Sequence, residues 1–214
     1  MTSWPKRINN VSVVLISLIN QIKKPDLIEL NLSLEEFPNK EKDLPNELNI
    51  LLNTFKFIEI NWVEKNTGVF KKLIPTIKKF YGLKYYLLSV DDDFIYRNDY
   101  ILTMINKLKN KNTDCLSLSG GFMGSRMIYK SSCFDLDILE NLTKEIINTR
   151  LDDYYYEYYL KKKNKKIFKE KKKVPNIMIP FNSIYPNSKN EKTGKYSIKL
   201  KKKAKSLLKK LNFK

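Results

Sequence analysis

Apolar spacing divides the chain into elements before any chemistry is considered. Ile8, Val11, Val14, Leu15 and Leu18 recur three and four residues apart, which predicts an amphipathic helix over about 8–22, ending before Pro25. From Leu27 to Leu32 the apolar residues instead alternate with Glu29 and Asn31, the period of a short strand. The acidic, proline-bounded stretch 33–45 reads as a loop, followed by a helix over about 46–54 and a strand over 57–63. Next come a helix over about 69–80, an apolar strand over 84–90, and a helix from Asn98, a residue suited to an N-cap, to about 109. Strands near 114–118 and 122–129 flank Gly120-Gly121, and helices over about 136–148 and 151–162 follow. Strand and helix alternate through short connections, so the expected fold class is α/β, with a mostly parallel sheet flanked by helices. In such sheets ligands lie beyond the carboxyl ends of the strands.

Composition then separates a body from a tail. Residues 161–214 hold 20 Lys, no Arg and only two acids, Glu170 and Glu191, whereas residues 1–160 hold 21 basic and 21 acidic residues. The body is neutral and the tail carries the whole net charge of +18. Within the tail, Leu200, Ala204, Leu207, Leu208 and Leu211 fall at helical spacing among lysines, a basic amphipathic helix. The expected division is a body over 1–180 and a basic tail over 181–214. Lysines 161–173 and 199–214 suit anionic lipid head groups at on the order of 1 kcal/mol each, although a solvated tail fits the same charge run.

No apolar run reaches the roughly 18 residues of a membrane span, and Met1-Thr2-Ser3-Trp4-Pro5 lacks a charged leader before an apolar stretch. The expectation is a cytoplasmic protein, held peripherally at the inner face of a membrane through 161–214. Cys115 and Cys133 are too few for a disulfide framework and lack metal-ligand spacing, so buried, reduced thiols are expected. Histidine is absent, which leaves proton transfer near neutral pH mainly to carboxylates.

Two acidic clusters carry candidate chemistry. Asp91, Asp92 and Asp93 follow directly on the apolar strand, and like charges there are best tolerated around a cation. Mg²⁺ or Mn²⁺ prefers one or two carboxylates plus phosphate oxygens, which suits Asp93 first and Asp91 second as ligands beside a nucleotide diphosphate. A plain polar turn fits the triplet read alone equally well. An EF-hand does not, because its Gly and closing Glu are missing. Asp152 and Asp153 open a helix rich in tyrosine, where they serve either as first-turn acids or as a general base toward an acceptor hydroxyl.

With these residues in place, the chain resembles a GT-A fold glycosyltransferase of the family-2-like kind, a nucleotide-diphospho-sugar transferase of bacterial surface-glycan type. The resemblance rests on Thr2-Ser3-Trp4-Pro5-Lys6-Arg7, on Asn61-Trp62 through Lys71-Lys72-Leu73-Ile74-Pro75, on Val90-Asp91-Asp92-Asp93-Phe94-Ile95-Tyr96, and on Gly120-Gly121 with Asp152-Asp153-Tyr154. It covers about residues 1–165. The resemblance implies that Thr2, Ser3, Pro5 and Arg7 line a nucleoside pocket, that Asp91 and Asp92 approach the ribose and donor sugar, and that Lys72 approaches the diphosphate. It further implies a metal on Asp93, Gly120 and Gly121 beside the acceptor, and Asp153, or alternatively Asp152, as the base of an inverting transfer to a glycan or glycolipid. Members begin with a full apolar strand, whereas Met1 stands where that strand would end. A truncated first strand, or a start upstream of Met1, is therefore expected.

Two other function classes use the same features: a nucleic-acid-binding protein or metal-dependent nuclease that relies on the basic tail, and a catalytically inactive GT-A-like scaffold. Lys outnumbers Arg 37 to 4, and base-reading motifs are missing, which argues against nucleic acid as the partner.

Overall fold

The computed structural model describes residues 1–118, 126–170, 178–180, 198–211 and 213. Its elements in chain order are α1 (Ile8–Ile19), β1 (Ile28–Ser33), α2 (Asn46–Thr54), β2 (Ile58–Val63), α3 (Ile74–Lys79), β3 (Tyr86–Ser89), β4 (Phe94–Tyr96) and α4 (Tyr100–Asn110). They continue as β5 (Cys115–Ser117), β6 (Met127–Lys130), α5 (Asp137–Glu140), α6 (Lys144–Thr149), α7 (Asp152–Lys162), β7 (Ile167–Lys169), β8 (Met178–Pro180) and α8 (Ile198–Leu208).

The α/β class holds, and the strands form separate sheets. β1 and β2 pair in parallel, from Ile28 opposite Ile58 to Ser33 opposite Val63. A second sheet has the order β3-β6-β5-β7, in which β6 is antiparallel to both neighbours and β7 is parallel to β5. β4 pairs antiparallel with β8. Pairing is therefore mixed where a mostly parallel sheet was expected. The link 118–126 is shorter than the dozen or so residues a parallel crossover needs, so β6 returns antiparallel to β5.

Several boundaries move for identifiable reasons. α1 stops at Asn20, and Gln21, 1% exposed, ties it to α4. The Gln21 amide donates to the carbonyls of Ser17 (3.0 Å) and Arg97 (2.6 Å), and its Oε1 accepts from the Ile101 N–H (3.0 Å). Asp99 rather than Asn98 precedes α4, because the Asn98 carbonyl is engaged by the Ile22 N–H at 2.7 Å. The helix expected over 69–80 divides into a 3₁₀ turn, Gly68–Lys72, and α3, whose second residue is Pro75. Proline has no N–H to continue a preceding turn and is favoured in the first turn of a new one. The helix expected over 136–148 divides into α5 and α6, and the Thr143 side chain caps the second by accepting from Ile146 N–H.

Two apolar clusters fill the interior. One gathers α1, β1, α2 and α4 around Leu15, Leu30, Leu32 and Met104. The other is aromatic and packs Phe70, Tyr129, Phe134, Tyr155, Tyr156 and Tyr159. α8 closes this second cluster with Ala204 and Leu208, 2% and 3% exposed, and the Phe213 ring lies 4.8 Å from Tyr159. The amphipathic helix of the tail is thus present and packs on α6 and α7, with Leu208 buried and Leu207 and Leu211 partly buried against the second cluster. β7 also lies within the expected basic run, and the neighbouring lysines find acids of the body. Lys161 and Lys169 both meet Glu157, at 2.6 and 2.7 Å, and Lys163 meets Asp135 and Asp137, each at 2.9 Å. Cys115 and Cys133 are buried free thiols, as expected. Among the described residues no helix is long and apolar enough to cross a membrane.

Candidate functional site

The acid triplet sits in the turn between β3 and β4, at the carboxyl end of β3. Each carboxylate there has a cation. Lys72 forms an ion pair with Asp91. One guanidinium nitrogen of Arg7 contacts Asp92 at 2.6 Å and Asp93 at 2.7 Å. The Ser3 hydroxyl donates to the second oxygen of Asp92 at 2.6 Å. Beneath the turn, Tyr96, 2% exposed, offers its phenol oxygen to the Asp91 N–H at 2.8 Å.

The backbone places these groups. The Met1 ammonium donates to the Glu29 carbonyl (2.8 Å), the Asn31 N–H donates to the Met1 carbonyl (2.9 Å), and Thr2 bridges Asn31 in parallel. Met1 and Thr2 thereby run alongside β1 and deliver Ser3 to Asp92. A turn closed by the Arg7 N–H on the Trp4 carbonyl (2.9 Å) then aims Arg7, 7% exposed, back at the triplet. α3 is anchored over β1 by a polar network: Asn31 donates to Thr76 (3.0 Å), Thr76 donates to Glu29 (2.5 Å), and Asn61 donates to Asn31 (2.8 Å). The turn that carries Lys72 leads directly into this anchored helix. Buried polar groups in β1 are therefore satisfied by α3 rather than by water.

Electrostatics tie the start of α7 to the same place. Burial works against the Lys72 ammonium, but Asp91, with help from Asp152 and Asp153, more than offsets this and raises its pKa. Burial raises the Asp152 carboxyl, which Lys72 opposes and Asp91 reinforces. Burial also pushes Asp92 up to about 6, against the pull of Arg7 and Ser3. Lys72 thus pairs directly with the triplet through Asp91 and feels the charge of the α7 acids at longer range.

Of the residues singled out from sequence, Ser3, Arg7, Lys72, Asp91, Asp92 and Asp93 come together in direct contact, and Asp152 and Asp153 act on the Lys72 charge from the start of α7. Thr2 does not join the acids, since its hydroxyl donates to the Asn31 carbonyl at 2.7 Å, and Pro5 is exposed on the adjacent turn. Gly120 and Gly121 lie outside the described residues. Tyr96 stood in the segment that carries the resemblance, but its contact with the Asp91 N–H was not anticipated.

The donor chemistry fits a hard divalent ion. Among the described residues no group of three or more acidic or thiol side chains forms a ready cage, but an ion completed by phosphate oxygens and water needs only one or two carboxylates. Asp91 and Asp93, with side chains 25% and 20% exposed, are more open than Asp92 at 9%.

No protein-family model matches the chain, and no curated protein does. Solved structures do match. One is TarS residues 1–349 of S. aureus in complex with UDP, at 12% identity and a TM-score of 0.48, over 83% of this chain and 57% of that one. The chain spans little more than half the length of that structure.

Proposed function

We propose that this protein transfers a sugar from a nucleotide-diphosphate donor to a hydroxyl of a glycan or glycolipid, with inversion at the anomeric carbon. The observation that carries this reading is the meeting of Ser3 and Arg7, Lys72, Asp91 to Asp93, and the Asp152-Asp153 pair at the carboxyl end of β3. Four segments far apart in sequence converge where an α/β sheet takes its ligand. In this reading residues 1–180 form a GT-A-like body and residues 181–214 a basic tail whose helix α8 packs back on α6 and α7.

In this reading Asp92, fixed by Arg7 and Ser3, and Asp91 present carboxylate acceptors to the ribose and donor-sugar hydroxyls. Asp93, with Asp91, holds Mn²⁺ or Mg²⁺, which when bound offsets charge on the departing diphosphate. Lys72 and Arg7 place two further positive charges beside that diphosphate. Asp153, half-buried at the first turn of α7, takes the proton from the acceptor hydroxyl as its oxygen bonds to the anomeric carbon and the bond to diphosphate breaks. Asp152 is buried and acts electrostatically on Lys72, so in this reading it helps to hold that ammonium. With Ala204 and Leu208 of α8 buried, attachment to an anionic membrane rests mainly on lysine charge.

The test is thermal unfolding with UDP, GDP and a panel of nucleotide sugars, each with and without Mn²⁺, beside salt-dependent retention on an oligonucleotide. Stabilisation by one nucleotide diphosphate that depends on the metal supports the transferase. Oligonucleotide retention without such stabilisation overturns it in favour of nucleic acid, and silence in both overturns it in favour of an inactive scaffold.

A further inference from the structure

Arg126 stands at the site without an acid of its own. It immediately precedes β6, and since Ser89 of β3 lies opposite Met127, continuation of that register sets Arg126 beside Val90, just before the triplet. The Leu118 N–H donates to the Arg126 carbonyl at 3.1 Å, which pins the same position to the end of β5. β3 and β5 are both antiparallel to β6 and so run parallel to each other. Arg126 thus lies at the carboxyl ends of two parallel strands, where such a sheet takes its ligands.

Met127 and Tyr129 pack in the tyrosine cluster with α7, whereas Ile128, Phe94 and Tyr100 belong to the cluster of α1 and α4. The Arg126 side chain lies on this second side. Its guanidinium carbon is 6.0 Å from the ring centroid of Phe94, the residue that follows Asp93, which suits a cation over an aromatic face. Burial raises the phenol of Tyr100, Asp91 raises it further and Arg126 lowers it, so the arginine charge reaches the surroundings of the triplet. The other three arginines are accounted for: Arg7 is held by Asp92 and Asp93, Arg97 pairs with Asp99, and Arg150 is exposed. Arg126 is half-buried, has no ion pair among the described residues, and its Nε is buried without a hydrogen-bond partner. A cation so placed costs stability unless an anion meets it.

We infer that Arg126 is a further ligand-binding residue of the site, whose guanidinium, laid on Phe94, takes the diphosphate group of the donor on the Asp93 side of the triplet. This rests on the proposed reading of the site as one for a nucleotide-diphosphate donor. Arg7 and Lys72 are engaged by carboxylates of the triplet, and with Asp152 and Asp153 at longer range the acids of the site outnumber these two cations. An incoming diphosphate therefore meets like charge unless a further cation stands beside it. Arg126 is a cation that no carboxylate among the described residues engages. A planar guanidinium also offers paired N–H donors to two phosphate oxygens, whereas a lysine acts as a point charge.

Calorimetric titration of the parent, Arg126→Met and Arg126→Lys with UDP, GDP and inorganic pyrophosphate, each with Mg²⁺, tests this beside thermal unfolding of the ligand-free chains. Arg126→Met is expected to bind diphosphates about tenfold or more weakly, and Arg126→Lys to fall between. Ligand-free Arg126→Met is expected to melt no lower than the parent, because methionine covers Phe94 and removes an unanswered charge. Equal binding by Arg126→Met and the parent overturns the inference and leaves the proposed function standing. Pyrophosphate binding that weakens in Arg126→Met, with no nucleotide diphosphate bound by the parent, upholds the arginine as a diphosphate ligand and overturns the transferase reading. A lower ligand-free melting temperature in both variants makes the side chain structural and overturns the inference, as does absence of binding by every probe.

Discussion

Lys72 closes an ion pair on Asp91 at the end of β3, while Asp152 at the start of α7 acts electrostatically on the same ammonium, so one cation offsets charge from two acidic segments distant in sequence. Neither acid is strongly solvated, and removing the cation leaves like charges facing each other. Lys72→Met is expected to destabilise the fold by about 3 kcal/mol, the lower end for breaking a buried pair because Asp91 is one quarter exposed. Urea unfolding checks this. Lys72→Met combined with Asp91→Asn should recover much of the loss, and a single variant as stable as the parent contradicts the arrangement.

Asp92 predicts a pH dependence. Its carboxyl stands at about 6 in the folded chain against an ordinary 3.8, so the folded state binds the proton more tightly. This group therefore favours folding most below about pH 4, and its contribution falls as the pH rises through about 6. Asp92→Asn removes that fall, which urea midpoints measured across this window detect. Identical pH profiles for parent and variant would place the Asp92 proton elsewhere.

Asp153→Asn should lower turnover by about a hundredfold or more while donor affinity stays near that of the parent, as expected for loss of a general base. A collapse of donor binding instead would move Asp153 out of that role. Asp152→Asn is expected to act through Lys72 and to weaken donor binding along with turnover.

The tail makes a different prediction. Leu208, 3% exposed, packs into the tyrosine cluster, so Leu208→Ala should cost about 2–4 kcal/mol of stability. Any binding to anionic vesicles should fade as salt shortens the Debye length, because Ala204 and Leu208 are buried and the lysines carry the attraction. Vesicle binding that resists high salt, or a neutral Leu208→Ala, contradicts the covered face.

Much of this organisation was legible in the chain. The period of Ile8 to Leu18, the alternation around Glu29 and the apolar run into Asp91 each specify an element, and local pattern suffices for them. The two acidic clusters were legible as candidate chemistry, although each also fitted a turn or a helix start, whereas Arg7 and Lys72 were singled out only through the family resemblance. Their pairing was not legible: which cation meets which carboxylate depends on α3 being anchored over β1 by Thr76 and Asn31, a contact across 45 residues. β7 was hidden because Ile167-Phe168-Lys169 is short and lies among lysines whose acids, Glu157, Asp135 and Asp137, sit elsewhere in the sequence. The covered face of α8 was hidden for the same reason: amphipathicity records an apolar stripe, and only the tyrosines of α7 show what it meets.

The most direct test of the central claim is calorimetric titration of the parent and Asp93→Asn with nucleotide diphosphates and Mn²⁺. The convergence of Arg7, Lys72 and the triplet predicts saturable binding of at least one nucleotide diphosphate to the parent, weakened about tenfold or more in a normally folded Asp93→Asn. Absence of binding across the panel, or equal binding by the variant, contradicts it.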